Sequence, residues 1–245
     1  MNEFYESEKV IQSHEVDFMN RLRIDSLFIL LQDTAAAHAD KLNLGYTALK
    51  EHNFAWVLSW AKVEIEEFPC FAEEIMIKTW PKRKYKLYSL RDFRIFNKTG
   101  QIIGKATTAW LPINLKSKRI IDTSSLPAPI NYQENQSAID LLPGKIKAPA
   151  EKEFLFTEHM RYTAIDLNQH VNNIKYIELI MDSFSREHYE KYTMKCIEIN
   201  FITESKYDEE IDVYKSADEE NFIIEGINKK NAKTAFAANL EWKIS

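Results

Sequence analysis

The sequence is poor in the residues that build disulfide frameworks, metal clusters and fibrous segments. Only two cysteines, five glycines and seven prolines occur among its 245 residues. Cys70 and Cys196 form no CxxC pair and have no histidine or cysteine neighbours at zinc spacing. We therefore expect a reducing compartment, no disulfide and no metal. Hydrophobic residues make up 45% and charged residues 28% of the chain, which is typical of a globular protein rather than a disordered one.

Long hydrophobic runs and an excess of positive charge are also absent. No apolar segment approaches the roughly 20 residues that cross a bilayer. The opening MNEFYESEKV has neither the apolar core of a signal peptide nor the Arg- and Ser-rich character of a transit peptide. The net charge of -5 argues against general nucleic-acid binding, although short basic clusters lie at 82–86, 116–119 and 229–233. We expect a cytoplasmic monomer or homodimer with no membrane or nucleic-acid partner.

Turn-forming residues concentrate in the middle of the chain. Four of the seven prolines, together with serine, asparagine and glycine, lie between residues 122 and 152. This composition is typical of a linker. It predicts an N-terminal half over 1–121 and a C-terminal half over 153–245, each large enough to form a domain.

Each half is predicted to hold one long helix and a run of strands. Apolar residues at helical spacing predict helices at 26–44, with Ser26 as the N-cap, and at 173–189. A short opening strand precedes the first helix. The remaining segments rich in β-formers predict strands at 55–66, 74–80, 88–96, 102–113, 154–162, 196–201, 211–215, 222–228 and 232–242.

The two halves are diverged copies of each other. Asp17 and Leu22 align with Asp166 and Val171, and the segment FAEEIMI from Phe71 matches YDEEIDV in the second half. The predicted class is α+β, a tandem (double) hotdog in which each half is a long helix wrapped by an antiparallel sheet. A generic α+β duplication is the alternative.

The densest polar cluster of the sequence lies just before the second predicted helix. It reads DLNQHVNN and begins at Asp166. At the equivalent positions of the first half, Met19 stands opposite Asn168 and Arg21 opposite His170. One copy therefore keeps a polar set that the other has lost, which indicates that function is concentrated in the second half.

The segment from Asp166 to Tyr176 matches the pattern D-x-N-x-H-V-N-N-x-K-Y. It resembles the acyl-acyl carrier protein thioesterases, the plastid and bacterial enzymes that release fatty acids from acyl carrier protein. The resemblance covers most of the chain, and in the first half it includes Trp56, Thr79-Trp80, Arg91-Asp92 and Ala109-Trp110.

The resemblance implies which residues carry the chemistry. In that family the Asp, Asn and His of the motif are functional, here Asp166, Asn168 and His170. A Glu-Cys pair on a later strand adds a carboxylate and a thiol, and this sequence reads Glu204-Ser205 at that place. The carboxylate is present but the thiol is not, which favours direct hydrolysis over a thiol nucleophile.

Hydrolysis of a thioester needs a base for the attacking water and donors for the developing oxyanion. His170 and Glu204 are the candidate bases, and the sequence does not choose between them. Asn168 is expected to orient the water or the carbonyl, and Asp166 to hold Asn168 or His170 by a hydrogen bond.

Other groups are assigned weaker roles. Backbone N–H groups around Val171 to Asn173, near the start of the second helix, are expected to polarise the carbonyl, and those of Val171 and Asn172 are the chosen donors. Ser205 is a possible but disfavoured nucleophile, since no nucleophile elbow surrounds it. Trp56 is a weak candidate for the acyl pocket that the resemblance implies in the first half.

The predicted reaction is hydrolysis of fatty acyl-acyl carrier protein to free fatty acid and carrier, with no cofactor. The basic clusters are candidates for steering the acidic carrier, without a choice among them. An acyl-coenzyme A thioesterase is the nearest alternative. Two further alternatives are a hotdog hydratase or dehydratase and a non-catalytic acyl-thioester binding module.

Overall fold

A computed structural model of the chain describes residues 3–218 and 221–245 and divides into two compact units, Met1–Pro143 and Gly144–Ser245. The unit boundary falls inside the segment 122–152 that the sequence predicts as a linker. The part up to Pro143 belongs to the first unit, where Leu126 is buried in one cluster with Leu44 and Leu49. This part is therefore a docked strap rather than a free connector.

The first unit is an antiparallel sheet with helices. Its helices are α1 (Ile24–Lys41) and α2 (Tyr46–Glu51). Its strands are β1 (Tyr5–Val10), β2 (Phe54–Ile65), β3 (Glu74–Tyr85), β4 (Tyr88–Asn97) and β5 (Ile102–Asn114). They lie in the order β1-β3-β4-β5-β2, and every pairing among them is antiparallel.

Helix α1 packs against β3 and β1. Its buried face repeats at helical spacing, with Leu27, Leu31 and Ala35 all at most 6% exposed. His38 continues that face and is fully buried, with its Nδ1 atom 3.0 Å from Nη1 of Arg91. The sequence pattern therefore identified the correct face of this helix.

The second unit repeats the architecture. Its helices are α3 (Asn173–Met181) and α4 (Arg186–Lys191). Its strands are β6 (Glu153–His159), β7 (Tyr192–Phe201), β8 (Glu210–Asp218), β9 (Asn221–Asn228) and β10 (Lys233–Ile244). They lie in the order β7-β10-β9-β8-β6. Read from the other edge, this is the strand order of the first unit, so the duplication inferred from sequence is confirmed at the level of topology.

Helix α3 is anchored to the sheet by aromatic packing. The ring of Tyr176 lies 5.2 Å from the ring of Phe236 on β10. Gly226 on β9 pairs with Phe236, and a Cβ atom at Gly226 would come within 2.1 Å of that ring. The absence of a side chain at Gly226 thus makes room for the residue that supports the helix.

The predicted helix ends differ from the observed ones in two places. Helix α1 begins two residues before Ser26, which is itself buried inside the helix, so the predicted N-cap is wrong. The segment 173–189, predicted as one helix, forms two helices, because the first helix ends at Met181 and the second begins at Arg186. Ser185 starts the second of them by accepting a hydrogen bond from the His188 N–H.

Helix α2 was not predicted from the sequence, and most strand ends shift by one or two residues. The larger shifts are at β3, which continues past Pro81 through a bulge, and at β7, which begins at Tyr192. The ends of β6 and β8 each shift by three residues. Within the described ranges, no helix is long and apolar enough to cross a membrane.

Candidate active site

The polar motif folds into a tight loop immediately before α3. The carboxylate of Asp166 accepts the backbone N–H groups of Asn168 at 2.8 Å and His170 at 3.2 Å. The Asp166 N–H donates to the His170 carbonyl at 2.8 Å, and Gln169 takes a positive φ of 66° at the tip. Asp166 thus holds Asn168 and His170 mainly through their backbone N–H groups.

The first unit builds the same loop without the same side chains. Asp17 accepts the N–H groups of Met19 at 2.8 Å and Arg21 at 2.9 Å, and its own N–H donates to the Arg21 carbonyl. Asn20 has the positive φ, 62°. Because this aspartate shapes the loop in a unit that lacks the polar set, the loop-forming role belongs to both copies.

His170 and Glu204 are brought together in the second unit. Nε2 of His170 lies 3.2 Å from Oε2 of Glu204. The histidine side chain is 19% exposed and the carboxylate 54% exposed, so water reaches the pair. An imidazole and a carboxylate at this separation can share and transfer a proton.

Glu204 follows the end of β7 and is fixed by its neighbour. The Val171 N–H donates to the Ser205 carbonyl at 2.9 Å, which ties the residue after His170 to the residue after Glu204. The first unit has the same bond, from the Leu22 N–H to the Pro69 carbonyl at 2.8 Å. The backbone that sets the spacing is therefore common to both units, and only the second places a histidine and a carboxylate on it.

Ser205 lies inside the protein. Its side chain is fully buried, its backbone N–H donates to the Tyr176 hydroxyl at 3.1 Å, and its Oγ accepts from Nδ2 of Asn228 at 3.2 Å. Burial raises the pKa of the Tyr176 phenol, so this group stays neutral and can both donate and accept. A hydroxyl enclosed in this way is not presented to a substrate.

The buried network continues to Glu209. Asn228 also donates to the Glu209 carboxylate at 2.7 Å, and the Lys206 N–H donates to it at 3.0 Å. Burial acts to raise the pKa of Glu209, but the hydrogen bonds from Asn228, the Lys206 N–H and Lys230 outweigh it, so the pKa lies below its ordinary value. Glu209 is therefore a charged structural anchor for the segment that carries Glu204.

The start of α3 corrects the expectation for the oxyanion donors. The Val171 N–H is taken by Ser205, and the Asn172 N–H donates to the Ala164 carbonyl at 2.8 Å. The Asn172 side chain caps the helix by accepting the Ile174 N–H at 3.0 Å. Among the residues that the structure describes, the Asn173 N–H has no acceptor, so the open amide of this turn is at the end of the predicted range rather than at Val171 or Asn172.

Two predicted residues have other surroundings. The Asn168 side chain is exposed, with Nδ2 3.5 Å from Asp166, at the limit of a hydrogen bond. The Trp56 indole donates to the Leu44 carbonyl at 3.0 Å and packs on the cluster formed with Leu126. Its observed contacts are those of a core residue, and its part in an acyl pocket stays a prediction.

Sequence reasoning did not single out Tyr176 and Asn228, although both hold the residue beside Glu204. Tyr176 was within the quoted motif, which was the available signal. Asn228 has no local signal, because it reaches Ser205 only through the pairing of distant strands. No cluster of three or more potential metal ligands occurs in 3–218 and 221–245.

Comparison with protein families gives a match in each half. Residues 2–125 match the family model described as the acyl-ACP thioesterase N-terminal domain, and residues 146–244 match that of the C-terminal domain. Together the two matches span most of the chain.

Among individual proteins, the chain is 24% identical to the chloroplastic oleoyl-acyl carrier protein thioesterase 2 of Arabidopsis thaliana, over 94% of this chain and 67% of that protein. It is 25% identical to a chloroplastic palmitoyl-acyl carrier protein thioesterase of Gossypium hirsutum, over 78% of this chain and 49% of that one. The chain thus spans about two thirds or less of the length of these relatives.

Two solved structures share the fold over nearly the full length of both chains. A Bacteroides thetaiotaomicron acyl-ACP thioesterase superposes with a TM-score of 0.90 at 28% identity, covering 99% of this chain and 98% of that one. The 12:0-ACP thioesterase of Umbellularia californica has a TM-score of 0.79 at 17% identity, covering 100% and 99%. The predicted double hotdog is confirmed by these likenesses.

Proposed function

Because the chain belongs to the acyl-ACP thioesterase family, we propose that it hydrolyses the thioester of fatty acyl-acyl carrier protein to free fatty acid and carrier. The observation that carries this proposal is the His170–Glu204 pair at 3.2 Å. The pair lies on a loop framework that the first unit also builds, but there Arg21 takes the place of the histidine. The similar proteins from Arabidopsis and Gossypium bear acyl carrier protein thioesterase names, which supports the same substrate class here.

The pair activates water for the attack. A water beside the exposed Glu204 carboxylate loses a proton to the His170–Glu204 pair as its oxygen bonds to the thioester carbonyl carbon. When the tetrahedral intermediate collapses, the carbon–sulfur bond breaks and the pair returns the proton to the leaving thiolate. The proton is assigned to the pair and not to one residue, because His170 Nε2 and Glu204 Oε2 lie 3.2 Å apart and can exchange it.

The developing negative charge on the carbonyl oxygen needs donors. We assign this role to the free Asn173 N–H in the first turn of α3 and to the exposed amide of Asn168. Asp166 acts as a positioning residue, because its carboxylate fixes the backbone of the loop that bears both Asn168 and His170. Direct hydrolysis by water needs no nucleophilic side chain at position 205 and no bound cofactor.

The test is thiol release from a series of acyl thioesters by the wild type and three variants. We expect His170→Ala and Glu204→Gln each to lower kcat by about 10²- to 10⁴-fold, the usual contribution of general acid–base catalysis. Arg21→Ala, at the position equivalent to His170, is the matched control and should keep kcat within a few-fold of the wild type. Wild-type turnover in His170→Ala would remove the pair from the mechanism.

The same assay separates the alternatives. Comparison of kcat/KM on acyl-acyl carrier protein and acyl-coenzyme A decides the carrier. Loss of water from a 3-hydroxyacyl thioester without thiol release would identify a dehydratase instead. Binding of acyl thioesters without any turnover would identify a binding module.

A further inference from the structure

The peptide group that follows Glu204 is held by a tyrosine of α3. Its N–H, which belongs to Ser205, donates to the Tyr176 hydroxyl at 3.1 Å. Because a peptide group is planar, its orientation follows the ψ angle of Glu204 and is tied to the direction in which that side chain leaves the backbone. The carbonyl of Ser205 is bound as well, by the Val171 N–H at 2.9 Å. Residue 205 is therefore tied to the start of α3 through both of its backbone polar groups.

Tyr176 is itself held firmly in the core of the second unit. It is the fourth residue of α3 and is 2% exposed. Its ring packs against Phe236, with 5.2 Å between the ring centroids. A close-packed aromatic ring has few rotamers available, so its hydroxyl is a stationary acceptor. The same helix begins three residues after His170, and the acceptor is thus fixed relative to the loop that carries the histidine.

The first unit forms the same backbone contact without a hydroxyl. Pro69 is the counterpart of Ser205 there, because its carbonyl accepts the N–H at the equivalent loop position at 2.8 Å. The counterpart of Tyr176 is Leu27, which is the fourth residue of α1. Proline has no N–H and leucine has no hydroxyl, so this pair of residues cannot make the bond. The backbone of a hotdog unit therefore forms without it.

The difference between the units coincides with the catalytic pair. A buried N–H and a buried hydroxyl are costly to a protein unless both are hydrogen-bonded, whereas two apolar groups carry no such cost. The polar combination occurs in the unit that has His170 and Glu204. The apolar combination occurs in the unit that has Arg21 and Phe68 at those positions. The bond is thus present where a carboxylate must be held toward a histidine, and not where a unit only has to fold.

We propose that Tyr176 is a positioning residue for the reaction, whose hydroxyl keeps the Glu204 carboxylate within reach of His170 by holding the Ser205 N–H. Proton exchange within the pair depends on the separation of 3.2 Å between Nε2 and Oε2. A displacement of about 1 Å can lower a rate by about 100-fold. This inference rests on the proposed function, because it gives Tyr176 a part in that same reaction.

Three substitutions break or keep the bond selectively. Tyr176→Phe removes the acceptor, Ser205→Pro removes the donor in the way that Pro69 does in the first unit, and Ser205→Ala keeps both. For the first two, we expect kcat on one acyl thioester to fall by about 10- to 100-fold with KM nearly unchanged. Ser205→Ala should stay closer to the wild type. Tyr189→Phe is the matched control, because it removes another phenol hydroxyl of the second unit, which donates to the Met181 carbonyl at 2.6 Å, and its kcat should equal that of the wild type.

The double variant Tyr176→Phe, Ser205→Pro separates positioning from stability. Each single substitution leaves one buried group unpaired, whereas the double variant leaves neither and should unfold at a higher temperature than either single variant. Its kcat should nevertheless stay as low as theirs, because both substitutions break one bond. Recovery of kcat together with stability would overturn the inference in favour of a purely structural tyrosine. If Tyr176→Phe does not fold, Ser205→Pro and the double variant provide the same comparison.

A measurement without substrate keeps this inference apart from the proposed function. Amide hydrogen exchange at residue 205 should be faster in Tyr176→Phe than in the wild type, because the N–H has lost its acceptor. Equal exchange, or wild-type kcat in Tyr176→Phe, would overturn the positioning role alone. Absence of thioester turnover by the wild type would overturn the proposed function and with it the catalytic part of the role, while faster exchange would still show that Tyr176 holds Ser205.

Discussion

At the scale of single residues, burial and hydrogen bonding separate the groups that can meet a substrate from those that cannot. Glu204 and Ser205 are consecutive, yet the Glu204 carboxylate is half exposed and the Ser205 side chain is fully buried. Tyr176 and Asn228 hold Ser205 in place from a helix and from a strand end. Adjacent positions thus differ in their surroundings, since one side chain meets solvent and the other is held inside the protein.

Ser205→Ala provides the first prediction. The substitution leaves the backbone bonds of residue 205 intact and removes only the hydroxyl that accepts from Asn228, so the free energy of unfolding should fall by about 1 kcal/mol. Turnover should stay within about tenfold of the wild type, whereas loss of a nucleophile costs about 10³-fold or more. Steady-state kinetics beside His170→Ala provide the comparison, and a collapse of kcat in Ser205→Ala would restore the nucleophile interpretation.

At the scale of elements, the position of α3 depends on the strands beneath it. Phe236 of β10 contacts Tyr176 of α3, and the Phe236 ring occupies the space that Gly226 of β9 leaves open. The same helix begins at the loop that carries His170. The packing of two strands therefore contributes to the geometry of the site.

Gly226→Ala tests this packing. A methyl group there would collide with the Phe236 ring, and overpacking of this kind costs about 1–3 kcal/mol of unfolding free energy. Gly144→Ala is the control, since no atom lies within 4 Å of the position that its Cβ would take. Denaturant unfolding of both variants should show a lower midpoint only for Gly226→Ala. Equal midpoints would mean that the ring moves aside without cost.

At the scale of the whole molecule, the strap of the first unit is fixed by a buried ion pair. Lys82 and Asp92 are 2% and 0% exposed, with 3.3 Å between Nζ and Oδ2. Lys82 donates to the Ile139 carbonyl at 2.5 Å, and Asp92 accepts the Ala138 N–H at 2.6 Å. Both members of the pair therefore hold the segment that approaches the boundary between the two units.

Asp92→Ala should be strongly destabilising for this reason. Removing one member leaves the Lys82 charge buried without its carboxylate, at a cost of about 3–5 kcal/mol. Lys84→Ala breaks an exposed pair with Asp122 and should cost about 1 kcal/mol or less. Thermal unfolding and limited proteolysis between residues 133 and 143 measure both effects. Similar stability of the two variants would show that the buried pair does not anchor the strap.

Local sequence patterns were sufficient to predict part of the fold and part of the candidate site. The buried face of α1 and most of the strands follow from periodicity. The contrast of Asn168 and His170 with Met19 and Arg21 follows from comparing the two halves. The length of the second helix was predicted wrongly, because its apolar spacing continues through a segment where serine side chains compete for backbone hydrogen bonds.

By itself, the sequence determined the duplicated α+β architecture, the family and the half in which the polar motif survives, since these depend on residue type and spacing along the chain. Only the tertiary structure decided that His170 meets Glu204, that Ser205 is enclosed by Tyr176 and Asn228, and that the amides of Val171 and Asn172 are already used. These contacts join residues far apart in the chain. Their distances are set by strand pairing and core packing, and no local pattern encodes them.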